Sequence, residues 1–373
     1  MRIGLDARLV FYHQAGIGQY ILRLTRALAA LDRENEYFLF QSRKDSSRLV
    51  DAPNFHRRVL WTPSHYRFER LTMTAEMLPH SLDVFHSPDF IPPHRLRAPN
   101  VITVHDLAFL LYPRFLTPEA ARYYGQIDHA SRSAAHIIAV SQSTKRDVTR
   151  LLGVPEDKVT VIYEAAHSTP QPILPEEARA HVKTKYGIEG DFILFVSTIE
   201  PRKNLPTLLA AYSKLRESYQ TTAQLIVAGH KGWLTEEVDQ AMDKYKLHHQ
   251  VCFLGSVPTA ELAYLYHAAR VFALPSFYEG FGLPPLEAMA SGTPVIVSNV
   301  SSLPEVVGDA GLLLDPNDVD AWAVALQRVL TDNALHAELS AKGLKRAANF
   351  SWERAARETL DVYKKVAGKQ VDR

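Results

Sequence analysis

The sequence predicts two doubly wound α/β domains, each built around a parallel β-sheet. Short runs that are apolar on both faces alternate with amphipathic stretches, and the series of runs begins again near residue 190. Such runs are typical of parallel strands that helices cover on both sides, and their alternation with helices favours the doubly wound arrangement. A chain of 373 residues also exceeds the usual size of one domain.

The predicted strands form two series, one on each side of a proline-rich segment. The first series is Ile3–Leu5, Tyr37–Phe40, Val101–Val104, His136–Val140 and Val159–Ile162. The second series is Phe192–Val196, Gln224–Ala228, Val251–Leu254, Val271–Leu274, Val295–Ser298 and Leu312–Leu314.

The predicted helices lie between these strands. One begins at Ser141, a favourable N-cap residue, and ends at Gly153, which is followed by Pro155. The others are Asn204–Glu217, Thr235–Tyr245, Asp318–Leu330 and an amphipathic helix from Phe350 onward.

The domain boundary is predicted at Ser168–Pro175, where three prolines in eight residues make a stiff connector. We assign residues 1–168 to an N-terminal domain, 169–178 to the linker, 179–350 to a C-terminal domain and 351–373 to a terminal helix. Ligands of such folds bind at the carboxyl ends of the strands. Two domains of this kind therefore predict a ligand cleft between them.

The composition excludes several classes of protein. The hydrophobic fraction of 46% and the charged fraction of 22% are typical of globular chains, and a net charge of +1 gives no support for nucleic-acid binding. The single cysteine, Cys252, excludes an intrachain disulfide. Asp6 and Arg8 interrupt the N-terminal apolar segment, which argues against a signal peptide. No apolar run approaches the ~18 residues of a spanning helix, so we expect a cytoplasmic protein and leave peripheral membrane contact open.

Two motifs of the first domain are candidate site residues. Gly16 and Gly18 lie between a strand and a helix, where they would let backbone amides approach an anion, although an ordinary flexible turn is an equal alternative. Ile21 stands where a dinucleotide-binding loop needs its third glycine, which excludes that fingerprint. His105 and Asp106 follow an apolar strand, where a site residue is favoured over a histidine satisfied by local backbone.

Arg202 and Lys203 are candidates in the second domain, between a strand and a helix. Two cations at that place oppose the helix dipole. They are therefore predicted to hold an anion such as a diphosphate, with a solvated basic turn as the alternative.

Glu279 and Glu287 carry the most specific signal. The strand Val271–Leu274 leads into a glycine-containing loop with Glu279, and Pro284-Pro285 then mark the first turn of a helix, to which Glu287 is also assigned. Two carboxylates with intervening amides can bind hydroxyl pairs and an anion together. A favourable charge at a helix N-terminus, worth ~0.3–1 kcal/mol, would explain Glu287 but not Glu279.

Asp318 and Asp320 have the Asp-x-Asp form found in metal-dependent sugar transferases. Here they open a predicted helix, so we interpret Asp318 or Asn317 as its N-cap and predict no metal site.

The segment around Glu279 and Glu287 resembles the Glu-x7-Glu signature of the "group 1" family of retaining GT-B glycosyltransferases. The likeness covers nearly the whole chain. It includes Gly16-Ile-Gly18, His105-Asp106, Val140-Ser141, Arg202-Lys203-Asn204, Leu303-Pro-Glu305 and Phe350-Ser-Trp-Glu.

The resemblance implies a GT-B fold of two Rossmann-like domains facing a deep cleft, with the acceptor on the N-terminal side and the nucleotide sugar held mostly by the C-terminal domain. It implies that Glu287 binds the ribose and Glu279 the donor sugar, and that the reaction is metal-independent and needs no cofactor. The other implied contacts are Arg202, Lys203 and the amides of Phe281, Gly282 and Leu283 to the diphosphate, Gly16 and Gly18 to the diphosphate, and His105 to the donor sugar. The terminal helix would cross back to the N-terminal domain.

One position departs from the family pattern. Members commonly carry Asn-Gly before the linker, whereas this chain reads Tyr163-Glu-Ala-Ala-His. No function is assigned to that turn.

The resemblance to bacterial mannosyltransferases of surface-polysaccharide assembly favours GDP-mannose as donor, with UDP-glucose and related donors as alternatives, and a saccharide or lipid-linked saccharide as acceptor. A sugar-nucleotide 2-epimerase or a non-catalytic sensor of the same architecture is the rival function. A basic and aromatic face could contact anionic lipid, but solvated arginines and core aromatics are the favoured interpretation. Its members are Arg57, Arg58, Arg67, Arg70, Arg114, Trp61, Tyr66, Phe68 and Phe115.

Overall fold

A computed structural model describes residues 1–12, 16–66, 68–115, 123–167 and 173–371. His13, Arg67 and most of the proline-rich segment, which the sequence analysis singles out, lie outside these ranges. The contacts divide the chain into two compact units. Unit 1 contains Met1–Glu164 and Ser351–Arg373, and unit 2 contains Ala165–Phe350.

Unit 1 contains a seven-stranded, wholly parallel sheet in the order β3-β2-β1-β4-β5-β6-β7. The strands are β1 Arg2–Asp6, β2 Glu36–Ser42, β3 Phe55–Leu60, β4 Val84–Ser87, β5 Asn100–Val104, β6 His136–Ala139 and β7 Val159–Val161. The five strands predicted in this part of the chain are all present. Strands β3 and β4 were not predicted from the sequence, since β3 has three consecutive polar residues, His56, Arg57 and Arg58, and β4 has only four residues.

The helices of unit 1 cover both faces of this sheet and include the terminal helix. They are α1 Arg8–Tyr12, α2 Ile17–Leu31, α3 Glu69–Met77, α4 Ala108–Leu111, α5 Ile127–Ser133, α6 Gln142–Leu152 and α15 Trp352–Val371. Ser141 caps α6 by accepting a hydrogen bond from the Thr144 amide, and Gly153 ends it in the left-handed conformation, as predicted. Helix α15 packs on α2, and Tyr363 lies in the same apolar core as Leu24.

Unit 2 contains a six-stranded parallel sheet in the order β10-β9-β8-β11-β12-β13. Its strands are β8 Phe192–Val196, β9 Gln224–Ala228, β10 Val251–Gly255, β11 Val271–Leu274, β12 Val295–Ser298 and β13 Gly311–Leu314, which are the six predicted ones. The fold class of two doubly wound sheets is therefore confirmed.

The helices of unit 2 alternate with these strands. They are α7 Pro175–Tyr186, α8 Leu205–Tyr219, α9 Glu236–Lys244, α10 Thr259–Ala268, α11 Leu283–Ala290, α12 Leu303–Val307, α13 Val319–Thr331 and α14 Asn333–Ala347. Helix α7 starts at Pro175, where a missing N–H group costs the helix nothing. Residues 175–178, predicted as part of the linker, are thus helical. In the described part of the chain, no helix combines the length and the apolarity that crossing a membrane requires.

Candidate functional site

The candidate site of unit 2 lies where the strand order of its sheet reverses. Strands β8 and β11 are neighbours in the sheet, although two strands separate them in sequence. Arg202 and Lys203 form a short 3-10 turn after β8, and Glu279 follows β11. Ligands of doubly wound sheets bind at such reversal points, at the carboxyl ends of the strands.

Lys203 and Glu279 form a buried ion pair at this point. The Lys203 ammonium donates to both carboxylate oxygens of Glu279, at 2.7 and 2.8 Å, and Ser276 Oγ donates to Oε1 at 2.7 Å. Glu279 is 6% exposed and Lys203 is 9% exposed. The spacing of 76 residues gave no sign of this contact.

Arg202 extends the pair into a group of four alternating charges. Its guanidinium donates to Glu200 Oε1 at 2.6 Å and to the Tyr278 carbonyl at 2.9 Å, and it lies 3.5 Å from Glu279. Two cations and two carboxylates thus balance within the group. Burial raises the pKa of Glu279, but Lys203 and Arg202 outweigh burial and hold it below its usual value. Burial and Arg202 lower the pKa of Lys203.

Asn204 fixes the turn that carries the two cations. It adopts a left-handed conformation with φ of 53°, which asparagine tolerates better than most residues. Its side-chain amide donates to the Pro275 carbonyl at 3.1 Å and the Pro316 carbonyl at 2.7 Å. Asn204 therefore holds the turn after β8 against the loop after β11.

The loop between β11 and α11 is held by two serines that the sequence analysis missed. Ser302 Oγ donates to the carbonyls of Glu279, at 2.9 Å, and Phe281, at 2.7 Å, and the Glu279 amide donates to Ser301 Oγ at 2.8 Å. Gly282 caps α11 with φ of 109°, where a Cβ atom would lie 3.0 Å from Leu303. Glycine is therefore required there.

The N-terminus of α11 offers fewer amides than expected. The helix begins at Leu283, and Pro284 and Pro285 have no N–H group. The Leu286 amide bonds to the Gly282 carbonyl at 3.3 Å. An anion at this turn could bind the backbone amides of Gly282 and Leu283.

Glu287 does not lie in the first turn of α11, and that prediction was wrong. It is the fifth residue of the helix, whose first turn is fully described and carries no acidic residue. A favourable charge at the helix N-terminus therefore does not explain Glu287. Its Oε2 accepts a hydrogen bond of 3.2 Å from the Tyr266 hydroxyl on α10. Glu287 also borders a cleft of about 870 Å³ within unit 2, together with Tyr266, His267 and Ser291.

In unit 1, the predicted glycine loop leads into α2. Gly16 is the residue before the helix and has φ of 54°, which favours glycine. Gly18 is buried in the first turn, and the Tyr20 amide donates to the Gly16 carbonyl at 3.0 Å.

His105 follows β5, and both of its ring nitrogens contact oxygen atoms of unit 1. Nε2 lies 2.9 Å from the Pro88 carbonyl, and Nδ1 lies 3.0 Å from the Glu164 carboxylate. The Tyr20 ring packs edge-on at 4.8 Å. Burial lowers the pKa of His105, but hydrogen bonding and attraction to Glu164 outweigh burial and raise it. Glu164 stands in the turn where the family's Asn-Gly is absent, and no spacing marked it as a partner of His105.

A second buried group at the carboxyl edge of unit 1 was also missed. Arg8 is 1% exposed and contacts Asp6 at 2.6 Å and Glu69 at 2.7 Å. It joins the end of β1 to the start of α3. Burial raises the pKa of Glu69 to about 6.

Asp318 has the predicted structural role. Its carboxylate accepts a hydrogen bond of 2.9 Å from the Ala321 amide and caps α13. Asp320 pairs with Lys214 on α8. The residues that the structure describes contain no cluster of three or more His, Cys, Asp or Glu side chains suited to a metal ion.

Three aromatic residues of the predicted basic face are exposed, which contradicts their interpretation as core residues. Trp61 is 68% exposed, Tyr66 46% and Phe68 48%. The Arg43 guanidinium lies over the Trp61 ring at 4.7 Å. Arg67, another member of this predicted face, lies outside the described residues.

Comparison with known proteins identifies the class of protein that has this fold and these motifs. Residues 179–346 match the family described as Glycosyl transferases group 1, and residues 15–166 match Glycosyltransferase Family 4. Sucrose-phosphate synthase from Thermosynechococcus elongatus superposes with a TM-score of 0.79 at 23% identity, over 99% of this chain and 100% of that one. The fold is thus that of the GT-B glycosyltransferases.

Similarity to curated proteins extends the assignment beyond the fold and shows the family. O-antigen chain mannosyltransferase B of Escherichia coli is 36% identical over 381 aligned positions, which cover 98% of this chain and 100% of that protein. The serotype-specific mannosyltransferase WbdA of Escherichia coli is 34% identical over 281 positions, 73% of this chain and 34% of that protein. The chain belongs to the Glycosyl transferases group 1 family and is a glycosyltransferase.

Proposed function

We propose that the chain is a retaining, metal-independent mannosyltransferase that moves mannose from GDP-mannose to a saccharide or lipid-linked saccharide acceptor in polysaccharide synthesis. The observation that carries the proposal is the charge-balanced group of Lys203, Glu279, Arg202 and Glu200 at the strand-order reversal of unit 2. The choice of mannose rests on the likeness to the mannosyltransferase of Escherichia coli over the whole chain.

Arg202 and Lys203 suit the leaving group of this reaction. Glycosyl transfer releases a nucleoside diphosphate, so negative charge grows on phosphate oxygens as the glycosidic bond to phosphate breaks. Cations that are already fixed in place stabilise that charge without having to reorganise. Contacts to Glu200, the Tyr278 carbonyl and Glu279 fix both cations before any ligand arrives. The amides of Phe281, Gly282 and Leu283, and in unit 1 those near Gly16 and Gly18, are proposed to assist.

The two glutamates are proposed to have separate roles. Glu279, in the loop beside the cations, would bind hydroxyls of the donor sugar. Lys203, Ser276 and the long 3.5 Å contact to Arg202 already use about the four hydrogen bonds that a carboxylate can accept, so a sugar hydroxyl would replace the Arg202 contact. Glu287, further along α11 and held by Tyr266, would bind the ribose diol. His105 would contact the donor sugar from unit 1.

The direct test is transfer from GDP-mannose and UDP-glucose to a synthetic mannoside, with and without excess chelator. We expect transfer from GDP-mannose that survives chelation, and an NMR spectrum of the product that shows the anomeric configuration of the donor. Loss of transfer on chelation with recovery in Mn²⁺ would contradict the metal-free mechanism. Conversion of the donor in the absence of acceptor would indicate the 2-epimerase instead.

We also propose peripheral contact with the inner face of the membrane through Trp61, Tyr66 and Phe68. The Arg43 guanidinium lies over the exposed Trp61 ring, and the exposed Tyr66 and Phe68 rings pack edge-on against each other at 5.9 Å. Aromatic and basic side chains together favour anionic lipid interfaces. Co-sedimentation with anionic vesicles should fall in a variant with serine at all three positions. Transfer to a water-soluble acceptor should stay unchanged, and equal co-sedimentation of variant and wild type would contradict the contact.

A further inference from the structure

A buried histidine on β4 and a partly buried histidine just after the neighbouring strand β5 have different kinds of hydrogen-bond partner. His86 on β4 contacts two hydroxyl groups, that of Tyr363 at 2.6 Å and that of Thr103 at 2.8 Å. His105, just after β5, contacts a carbonyl and a carboxylate. A hydroxyl can donate or accept, whereas a carbonyl or an ionised carboxylate can only accept.

The partners of His105 determine its protonation. The Pro88 carbonyl requires a hydrogen on Nε2. The Glu164 carboxylate requires a second hydrogen between its Oε1 and Nδ1, at a separation of 3.0 Å. A neutral imidazole has only one N–H group. The arrangement therefore needs one additional proton, which lies between His105 and Glu164.

The surroundings favour that proton on the ring. Glu164 and Asp89 both raise the pKa of His105 against the effect of its burial. His86 is the other titratable ring nearby, and burial, followed by repulsion from His105, lowers its pKa to about 3. The Tyr20 hydroxyl on α2 bonds to Thr103, and burial holds its pKa well above the usual value, so it stays neutral.

We propose that Glu164 is a positioning residue that keeps His105 as an imidazolium ion in the working enzyme. This inference rests on the proposed function, in which His105 meets the donor. An imidazolium has no free lone pair, so His105 cannot act as the base that deprotonates the acceptor. Instead it brings a positive charge to its proposed contact with the donor, and that charge would stabilise the negative charge that grows on the departing diphosphate.

Glu164→Gln is the decisive variant, because the amide oxygen can still accept from Nδ1–H while the negative charge is gone. Glu164→Asp keeps the charge. Glu36→Gln is the matched control, since Glu36 also pairs with a histidine, His56, in unit 1. The ring nitrogens are followed by NMR in ¹⁵N-histidine-labelled protein, with His105→Gln to assign the signals and His86 as an internal neutral histidine.

We expect both His105 nitrogens of the wild type to show imidazolium shifts at neutral pH. Glu164→Gln should lower the titration midpoint by about 1–3 pH units, the usual effect of an adjacent opposite charge. The alkaline limb of the pH profile of kcat should shift to lower pH by a similar amount, while kcat on the acid side stays near the wild-type value. Glu164→Asp should restore the limb, and Glu36→Gln should change neither midpoint nor limb.

A neutral His105 in the wild type at neutral pH, or an unchanged midpoint in Glu164→Gln, would overturn the proposal. So would an equal loss of kcat at every pH, which would mean a merely structural role. The NMR titration needs no substrate. If the wild type transferred nothing from GDP-mannose, the proposed function would fail while the protonation of His105 was still measured.

Discussion

At the carboxyl edge of each sheet a buried carboxylate pairs with a basic side chain, and the pairs Lys203–Glu279 and His105–Glu164 differ in the kind of basic group. In unit 2, Glu279 binds Lys203, with Arg202 beside it. In unit 1, Glu164 binds His105. Lysine and arginine keep their charge through the physiological range, whereas histidine titrates there. The Lys203–Glu279 pair therefore holds a charge that changes little with pH, as the Arg8 group of unit 1 does, whereas the charge on His105 depends on pH.

The largest effect is expected from breaking the pair in unit 2. Lys203→Met should lower kcat with little change in donor affinity, because the charge on the diphosphate is greatest in the transition state. The expected loss of transition-state stabilisation is ~2–4 kcal/mol. It should also destabilise the fold by ~3–5 kcal/mol, because it leaves the Glu279 carboxylate buried without its partner.

A double variant separates these two losses. Lys203→Met combined with Glu279→Gln removes the unpaired charge, so denaturant titration should show most of the stability restored, while transfer stays low. The control is Lys185→Met, which breaks the ion pair to Glu261 at 2.8 Å elsewhere in unit 2, where Lys185 is 46% exposed. A raised KM with unchanged kcat in Lys203→Met would show uniform binding of the donor instead.

The pair in unit 1 should make stability depend on pH. The pKa of His105 is raised in the folded state, so its contribution is complete below the unfolded value of about 6.5 and is lost as pH rises through the folded pKa. Glu164→Gln should reduce this alkaline loss, and Glu36→Gln should not. Denaturant midpoints measured from pH 6 to pH 9 test this, and identical profiles for wild type and Glu164→Gln would contradict the pairing.

The sequence predicted the strands of unit 2 better than those of unit 1 for a physical reason. A strand that is apolar on both faces gives an unbroken signal, as Phe192–Val196 does. Strand β3 is at the edge of its sheet and is buried only at its two ends; the four residues between them, including Arg57 and Arg58, are partly or fully exposed. Such a segment resembles a polar loop in sequence.

The sequence also indicated the residues of the Lys203–Glu279 pair better than those of the His105–Glu164 pair. Arg202, Lys203 and Glu279 each follow a strand and lie in recognisable motifs, so the sequence indicated their chemistry. Their contact could not be predicted, because it depends on β8 and β11 being neighbours in the sheet. Glu164 lies 59 residues from His105 in a turn that departs from the family pattern, so no motif indicated it.

The loop and helix after β11 are proposed to bind two different parts of one nucleotide sugar, the donor sugar through Glu279 and the ribose through Glu287. Calorimetric titration of GDP into Glu279→Gln and Glu287→Gln tests these separate roles. Glu287→Gln should weaken the affinity for GDP by about tenfold or more, because a charge-assisted hydrogen bond to the ribose diol is lost. Glu279→Gln should leave the affinity for GDP unchanged, since the proposed partner of Glu279 is the sugar, yet it should impair transfer. Equal loss of GDP affinity in both variants would contradict the separate roles of the two glutamates.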